Sequence, residues 1–472
     1  MELTSSFEEL VKDSLGTNAA QALFDSFENE PLTSIRVNGA KLDYLKNFYP
    51  NSSLGHLLDF AEDNLKEIEW VKDGFFLKER ENFTLSPLFQ GGAYYVQDSS
   101  SMFLECLKSV IANKMERQSS QLKVLDLCAS PGGKSTHIIS MLNELALKQN
   151  LPQPYIVCNE PVSKRVGALR ENLEKWGYSN VVVTSFYPNG FSSGFKKFSK
   201  NFDIILTDVP CSGEGMFRKS STALENWSLS NVKKSAFLQR EILSSIWQML
   251  SDGALLIYST CTYNHFENAD NVEFIIDKLG AENICNEVAD LAKASGAIPI
   301  PGSSFSQISG FQYVPGIVLG EGQFFSLLRK GGKEESSKVV KYSPSLFYEV
   351  KGKDVIPTHN FALSIEILEL LKENLLKGED MIKVDFAQIG SKLSKEGRGK
   401  QVKENHSFTF RVLDLPKELA ISYLRKENFV LNAPLGYILL TYKNLPIGFV
   451  KNLGSRFNNL LPNNKRILIS AP

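Results

Sequence analysis

The middle of the chain alternates short, continuous apolar runs with stretches whose apolar residues recur every three to four positions. Lys123–Cys128 is a run of the buried-strand kind, and after Pro131-Gly132-Gly133 the residues Ile138, Ile139, Met141, Leu142 and Leu145 fall on one helical face. The alternation then repeats. Tyr155–Cys158 precedes a helix predicted over 162–176, Val181–Val183 follows, Asp203–Leu206 leads to a helix near 230–250, and Ala254–Tyr258 is the next strand. The pattern predicts an α/β fold, a mostly parallel sheet with helices on both faces that gathers ligands at the carboxyl ends of its strands.

Punctuation divides the chain into three. Phe324–Arg329 is predicted as a last strand, and Lys330–Lys338 is a polar linker rich in Gly, Ser, Lys and Glu. Asp98-Ser99-Ser100-Ser101 is predicted to cap a helix running through Met102, Leu104 and Leu107. The expected units are a small N-terminal domain over 1–92, an α/β core over 93–332 and a separate C-terminal unit over 340–472.

Composition agrees with several cores, since 472 residues with 43% apolar side chains exceed what one core holds. The six cysteines (106, 128, 158, 211, 261 and 285) include no C-x-x-C pair and lack disulfide-scaffold density, which favours a reducing compartment. Five scattered histidines suggest no metal site. The sequence shows no basic-then-apolar leader and no apolar run near the ~20 residues of a membrane span, so a cytoplasmic protein is expected. The net charge of −1 hides a division: residues 1–70 carry −8 and residues 330–472 carry +8. Basic residues crowd into Lys392, Lys395, Arg398, Lys400 and Lys403, and again into Lys451, Arg456, Lys465 and Arg466. Such stripes attract phosphates, although a solvated lysine-rich face has equal weight on this ground alone.

The chemistry lies at strand ends. Cys211 in Asp208-Val209-Pro210-Cys211 and Cys261 in Ser259-Thr260-Cys261-Thr262 each close an apolar run, fifty positions apart. Two thiols at neighbouring strand ends suit methylation of a pyrimidine ring carbon. There a thiolate adds to carbon 6, carbon 5 becomes nucleophilic, and loss of the carbon 5 proton releases the thiol. Negative charge grows on ring nitrogen 3 during addition, where Asp208 could donate if held protonated. Lys134 is either a surface lysine or a cation near the thiolate. Cys128, Cys158, Cys106 and Cys285 read as small buried hydrophobes.

Gly133-Lys134-Ser135 resembles the end of a phosphate-binding loop, but that motif needs Gly where Cys128 stands, and no G-x-G-x-x-G occurs. What remains is a tight turn leaving a strand, with Glu160 closing the next strand, where a carboxylate can hold both ribose hydroxyls of an adenosine. An adenosine cofactor without a phosphate tail is S-adenosylmethionine.

The motifs Asp126–Ser135, Asp208–Lys219 and Tyr258–Thr262 resemble those of the Sun-type (NSUN) RNA cytosine-5 methyltransferases, with further similarity in Tyr94–Met102, Gly320–Phe325 and Ser34–Asn38. The similarity spans about residues 30–330, and the tail is more loosely similar to that of the bacterial 16S rRNA small-subunit methyltransferase F group. The resemblance implies a Rossmann-like methyltransferase core, an N-terminal RNA-binding domain and a PUA-like RNA-binding C-terminal extension. It implies Cys261 as nucleophile and Cys211 as the thiol assisting elimination and release. Cys128, Ala129, Ser130, Pro131, Gly132, Gly133 and Lys134 would wrap S-adenosylmethionine, Glu160 would hold its ribose, Asp208 would lie between cofactor and base, and Lys134 would sit near the reacting centre. Two departures stand out: Tyr187 occupies the position where the family often has an Asp touching adenine, and Val209 replaces the usual Ala. The expected activity is formation of 5-methylcytosine in small-subunit rRNA by a monomer. The alternatives are tRNA methylation, a non-catalytic ribosome-assembly factor on the same fold, and, remotely, a P-loop nucleotidase.

Overall fold

Two helices open the chain, α1 (Ser5–Leu15), capped by Thr4, and α2 (Thr17–Ser26), separated by Gly16 at φ 79°. Their buried face, Phe7, Val11, Ala20 and Leu23, packs on Phe217, Tyr263 and Val314 rather than on the sheet that follows. The structure is a computed structural model that describes residues 3–118, 120–187, 202–302, 308–332, 348–351, 354–385 and 407–469. Strand β1 (Thr33–Val37), helix α3 (Gly39–Phe48), and strands β2 (Leu65–Glu67), β3 (Gly74–Leu77) and β4 (Tyr94–Val96) build an antiparallel sheet in the order β2-β3-β1-β4. The predicted helix after Asp98 begins as a 3-10 segment, Ser100–Leu107, before becoming α4 (Lys108–Gln118). Asp98 caps it in part, one oxygen accepting from Ser100 N at 3.1 Å, while the other accepts from Glu321 N at 3.1 Å.

The core carries β5 (Lys123–Asp126), α5 (Gly133–Lys148), β6 (Tyr155–Asn159), α6 (Ser163–Trp176), β7 (Val181–Thr184), β8 (Phe202–Asp208), α7 (Leu229–Trp247), β9 (Leu250–Thr260), α8 (Ala269–Leu279), β10 (Ala281–Asn283), β11 (Ile298–Pro301), β12 (Ile308–Tyr313) and β13 (Gln323–Lys330). Successive strand residues point to opposite faces. Val124, Ile156, Ile204, Leu255, Phe325 and Leu327 therefore face α4, α5 and α6, whereas Leu125, Val157, Ile205, Leu256, Phe324 and Leu328 face α7 and α8. Burial on both faces explains why these strands read as unbroken apolar runs. The sheet order is β11-β12-β13-β9-β8-β5-β6-β7, parallel from β9 to β7, with β10 paired to β13. Strands β10 to β13 are antiparallel additions. Only Phe324–Arg329 among them was expected, because short antiparallel edge strands have no helix between them to set a repeat.

The C-terminal part holds the hairpin β14 (Tyr348–Lys351) and β15 (Asp354–Pro357), helix α9 (Ile365–Leu375), and a five-stranded sheet, β16 (Met381–Asp385), β17 (Ser407–Asp414), β18 (Gly436–Tyr442), β19 (Leu445–Asn452) and β20 (Phe457–Asn459), in sequential order. Its apolar side chains, including Phe361, Ile367, Phe410, Leu439 and Phe449, join Ile35, Val37, Leu45, Leu88 and Tyr94 of the N-terminal part in one core. The first and last parts of the chain thus share a core, because each sheet has one apolar face to cover.

The three parts meet at Lys41. Its buried Nζ donates to Gly91 O at 2.6 Å, Lys175 O at 2.7 Å and Leu363 O at 3.0 Å, one carbonyl from each part. Gly92 lies beside it at φ 72°, and a Cβ there would fall 1.8 Å from Lys175 O. Gly92→Ala is expected to cost about 3 kcal/mol, combining left-handed strain with loss of the close approach. A lowered urea midpoint checks this, and an unchanged one would show that the junction yields freely.

The basic run Lys392–Lys403, the linker from 333 onward and Pro188 lie outside the described residues. Of the second basic group, Arg456 and Arg466 are exposed, but Lys465 is a correction. Its Nζ pairs with Glu174 at 2.7 Å with the side chain 8% exposed, so it ties the C-terminal part to α6 rather than awaiting a phosphate.

Candidate active site

The turn after β5 is held open by its neighbours. Ala129 N donates to Asn159 O at 2.9 Å, Arg165 Nη2 to Ser130 O at 2.7 Å, and Asn172 Nδ2 to Pro131 O at 2.8 Å. Gly132 stands at φ 116°, a conformation L side chains rarely adopt, and its carbonyl accepts from Thr136 N as α5 begins. Glu160 is 1% exposed at the end of β6; one oxygen accepts from Val162 N at 2.9 Å and the other lies 3.5 Å from Arg165. Asp126, at the end of β5, accepts from Ser135 Oγ at 2.6 Å, while its Oδ1 is buried with no hydrogen-bond partner. Burial pushes the Asp126 carboxyl up to about 7, and the charges of Asp208 and Glu160 push the same way. Three carboxylates therefore face this turn. Phe186 and Tyr187, 42% and 64% exposed, follow β7 on its rim.

Asp208 closes β8 and is met by three donors. Ser259 Oγ at 2.9 Å and Gln323 Nε2 at 3.1 Å reach Oδ1, and Lys134 Nζ reaches Oδ2 at 2.8 Å. Burial pulls the Lys134 ammonium down, but Asp208 outweighs it, and the net shift is upward. Both Asp208 oxygens accept in this arrangement, and Lys134 is the charged donor among the three groups that meet them.

The two cysteines meet. Cys211 Sγ and Cys261 Sγ are 3.2 Å apart, both partly buried and both free thiols. The hydrogen bond with Cys261, then burial, then the Cys261 charge hold the Cys211 thiol well above its ordinary range. The contact couples the two sulfurs, and either can donate to the other.

Behind the pair lies a buried polar lattice that sequence reasoning missed. Glu214 accepts from Tyr263 N at 2.7 Å, Asn264 Nδ2 at 2.9 Å and Trp227 Nε1 at 3.0 Å. Glu267 accepts from Ser212 N at 3.0 Å, Gln239 Nε2 at 2.7 Å and Asn264 Nδ2 at 2.9 Å. Burial raises the Glu214 carboxyl to about 7 against the pull of its donors. Because Gly215 N also donates to Cys261 O at 2.7 Å, the loops carrying the two cysteines are locked to one another. Glu214 stood inside the Asp208–Lys219 motif and Gln323 inside Gly320–Phe325, so each had a signal, but neither had a partner until the chain folded. Cys128 lines the turn, and Cys106, Cys158 and Cys285 are buried. Among the described residues no cluster of three metal-ligating side chains occurs, and no helix is long and apolar enough to cross a membrane.

Residues 112–328 match the family described as 16S rRNA methyltransferase RsmB/F; residues 3–99 match the N-terminal domain of 16S rRNA methyltransferase RsmF, and residues 410–467 the methyltransferase RsmF PUA domain. The chain belongs to the RsmB/F family. As an RsmB/F member it is an RNA methyltransferase with a Rossmann-like core and a C-terminal PUA domain. It is 29% identical to the ribosomal RNA small subunit methyltransferase F of Aeromonas hydrophila, over 91% of this chain and 90% of that protein. It is 27% identical to the protein of the same name from Shewanella amazonensis, again over 91% and 90%. A methyltransferase homolog from Pyrococcus horikoshii superposes with a TM-score of 0.50 at 23% identity, covering 69% of this chain and 95% of that one. NSun6 from the same organism gives 0.50 at 19% identity, covering 70% and 99%. These structures share the fold of the RsmB/F core.

Proposed function

We propose that this RsmB/F member forms 5-methylcytosine in small-subunit rRNA through a covalent adduct on Cys261. The observation that carries the proposal is the 3.2 Å approach of Cys211 and Cys261 beside the Lys134–Asp208 pair. The names of its relatives support the substrate.

The turn fits S-adenosylmethionine on the chemistry of its side chains. The carboxyl groups of Asp126, Glu160 and Asp208 stand at the ends of adjacent strands, and the buried, unpartnered Asp126 Oδ1 leaves an acceptor for a bound group. Residues 128–134 would surround the cofactor, Glu160 would take its ribose hydroxyls, and Phe186 with Tyr187 would offer aromatic faces to its adenine. When bound, the cofactor supplies the methyl group that carbon 5 takes up.

The chain's own groups do the rest. Cys261 Sγ bonds to carbon 6 of the cytosine, and Lys134 donates toward nitrogen 3, where negative charge develops. Asp208 keeps Lys134 charged and in place. In the elimination the carbon 6–sulfur bond breaks as the carbon 5–carbon 6 double bond re-forms; Cys211 gives its proton to the departing sulfur of Cys261, and the Cys211 thiolate so formed takes up the carbon 5 proton. A base in a folded RNA must be turned out of its stack to reach these groups, and the PUA domain would hold the flanking RNA by its backbone and shape.

Gln323→Leu removes one of the two donors on Asp208 Oδ1. A hydrogen bond to a charged group is worth about 1.5–3 kcal/mol, so kcat is expected to fall by roughly 10- to 100-fold. Single-turnover kinetics at saturating RNA check this. The substrate is tested by depleting the protein and mapping 5-methylcytosine across rRNA and tRNA. Loss of one small-subunit rRNA site is expected; loss of a tRNA site would move the substrate, and unchanged maps would remove the activity.

A further inference from the structure

The Ser34–Asn38 segment takes no part in the reaction as proposed, yet its buried arginine reaches the site. Arg36 is 3% exposed and donates from Nε to Gln97 Oε1 at 2.9 Å, and from Nη2 to Thr136 Oγ1 at 2.6 Å and Gly133 O at 3.4 Å. Its guanidinium lies 4.6 Å from the Trp176 ring. Two lines of contact lead from it to Asp208. Gly133 and Thr136 belong to the first turn of α5, which carries Lys134 and hence the 2.8 Å bond to Asp208 Oδ2. On the other side, Gln97 Nε2 donates to Ser101 O at 3.1 Å, Ser101 Oγ to Gln323 Oε1 at 3.3 Å, and Gln323 Nε2 to Asp208 Oδ1 at 3.1 Å. Tyr95 and Gln97 also lie against Gly133, 3.4 and 3.6 Å from where a Cβ would stand.

A buried guanidinium whose hydrogen bonds go to neutral acceptors is a poor source of stability, because desolvation opposes it. Its planar, fixed fork is well suited to setting geometry. We infer that Arg36 is a positioning residue of the active site: from the N-terminal part it fixes the first turn of α5 and, through Gln97, Ser101 and Gln323, the carboxylate of Asp208. The acidic N-terminal part thereby acts on the cofactor turn without needing to touch RNA. This inference rests on the function proposed above.

The test uses the full chain with Arg36→Met, Arg36→Lys, Thr136→Val and the Arg36→Met/Thr136→Val double variant. S-adenosylhomocysteine affinity is measured by calorimetry, and kcat and KM for RNA by methyl incorporation, well below each variant's Tm. Arg36→Met and Thr136→Val are each expected to weaken S-adenosylhomocysteine by about tenfold and to lower kcat, with KM for RNA within about twofold of wild type. The double variant is expected to be no worse than Arg36→Met, and Arg36→Lys to recover part of the loss. Thr136→Val changes no charge and keeps the test intact should Arg36→Met fail to fold. A lowered Tm with unchanged cofactor affinity and kcat would overturn the positioning role. Wild-type protein that does not bind S-adenosylhomocysteine would instead overturn the proposed function.

Discussion

Cys261→Ala is expected to reduce turnover by at least about four orders of magnitude and to abolish any covalent complex with RNA. No other sulfur can replace it. The thiol of Cys211, 3.2 Å away, is pushed well above its ordinary range by its bond with Cys261 and by burial, which makes it the poorer nucleophile. Cys211→Ala is expected to behave differently: Cys261 still adds to carbon 6, but the sulfur that must leave has lost its proton source, and the adduct accumulates. Denaturing gels of each variant with RNA and S-adenosylmethionine distinguish the two. A denaturation-resistant complex from Cys261→Ala, or none from Cys211→Ala, would reverse or remove the assignment.

The second large effect belongs to Asp208. Asp208→Asn leaves the side chain's size intact but deprives Lys134 of the carboxylate 2.8 Å from its Nζ. Burial then acts on Lys134 unopposed by its nearest charge, and its pKa falls. Since the neutral amine is a weaker donor to nitrogen 3, kcat is expected to drop by about a thousandfold. The sign of the pH dependence follows. In wild type the raised Lys134 pKa keeps the ammonium present across neutral pH and loses it only on the alkaline side. In Asp208→Asn that alkaline limb moves to lower pH, so relative activity improves as pH falls from the alkaline side. A pH–rate profile with an unmoved alkaline limb would show that Lys134 does not depend on Asp208.

The parallel half of the core was legible because β5, β6, β8 and β9 are buried on both faces and the helices between the strands carry a 3.6-residue repeat. Strands β10 to β12 were not, since short antiparallel edge strands carry half that signal. Lys465 read as a phosphate ligand because sequence shows charge and hides partners; Glu174, which neutralises it, lies almost three hundred positions away. Asp208 stood out in its motif, but its partners did not, because Lys134, Ser259 and Gln323 donate to it from three different segments.

By itself, then, the sequence determined the α/β core, the glycine turn after Lys123–Asp126, and the pair of cysteines at strand ends, because local periodicity and motif spacing act over tens of residues. Only the tertiary structure decided that the two sulfurs touch, that Lys134 pairs with Asp208, that the first and last parts share one core, and that Arg36 reaches the turn after β5. Each of those facts depends on contacts between segments far apart in the chain, and sequence spacing carries no record of which segments desolvate one another.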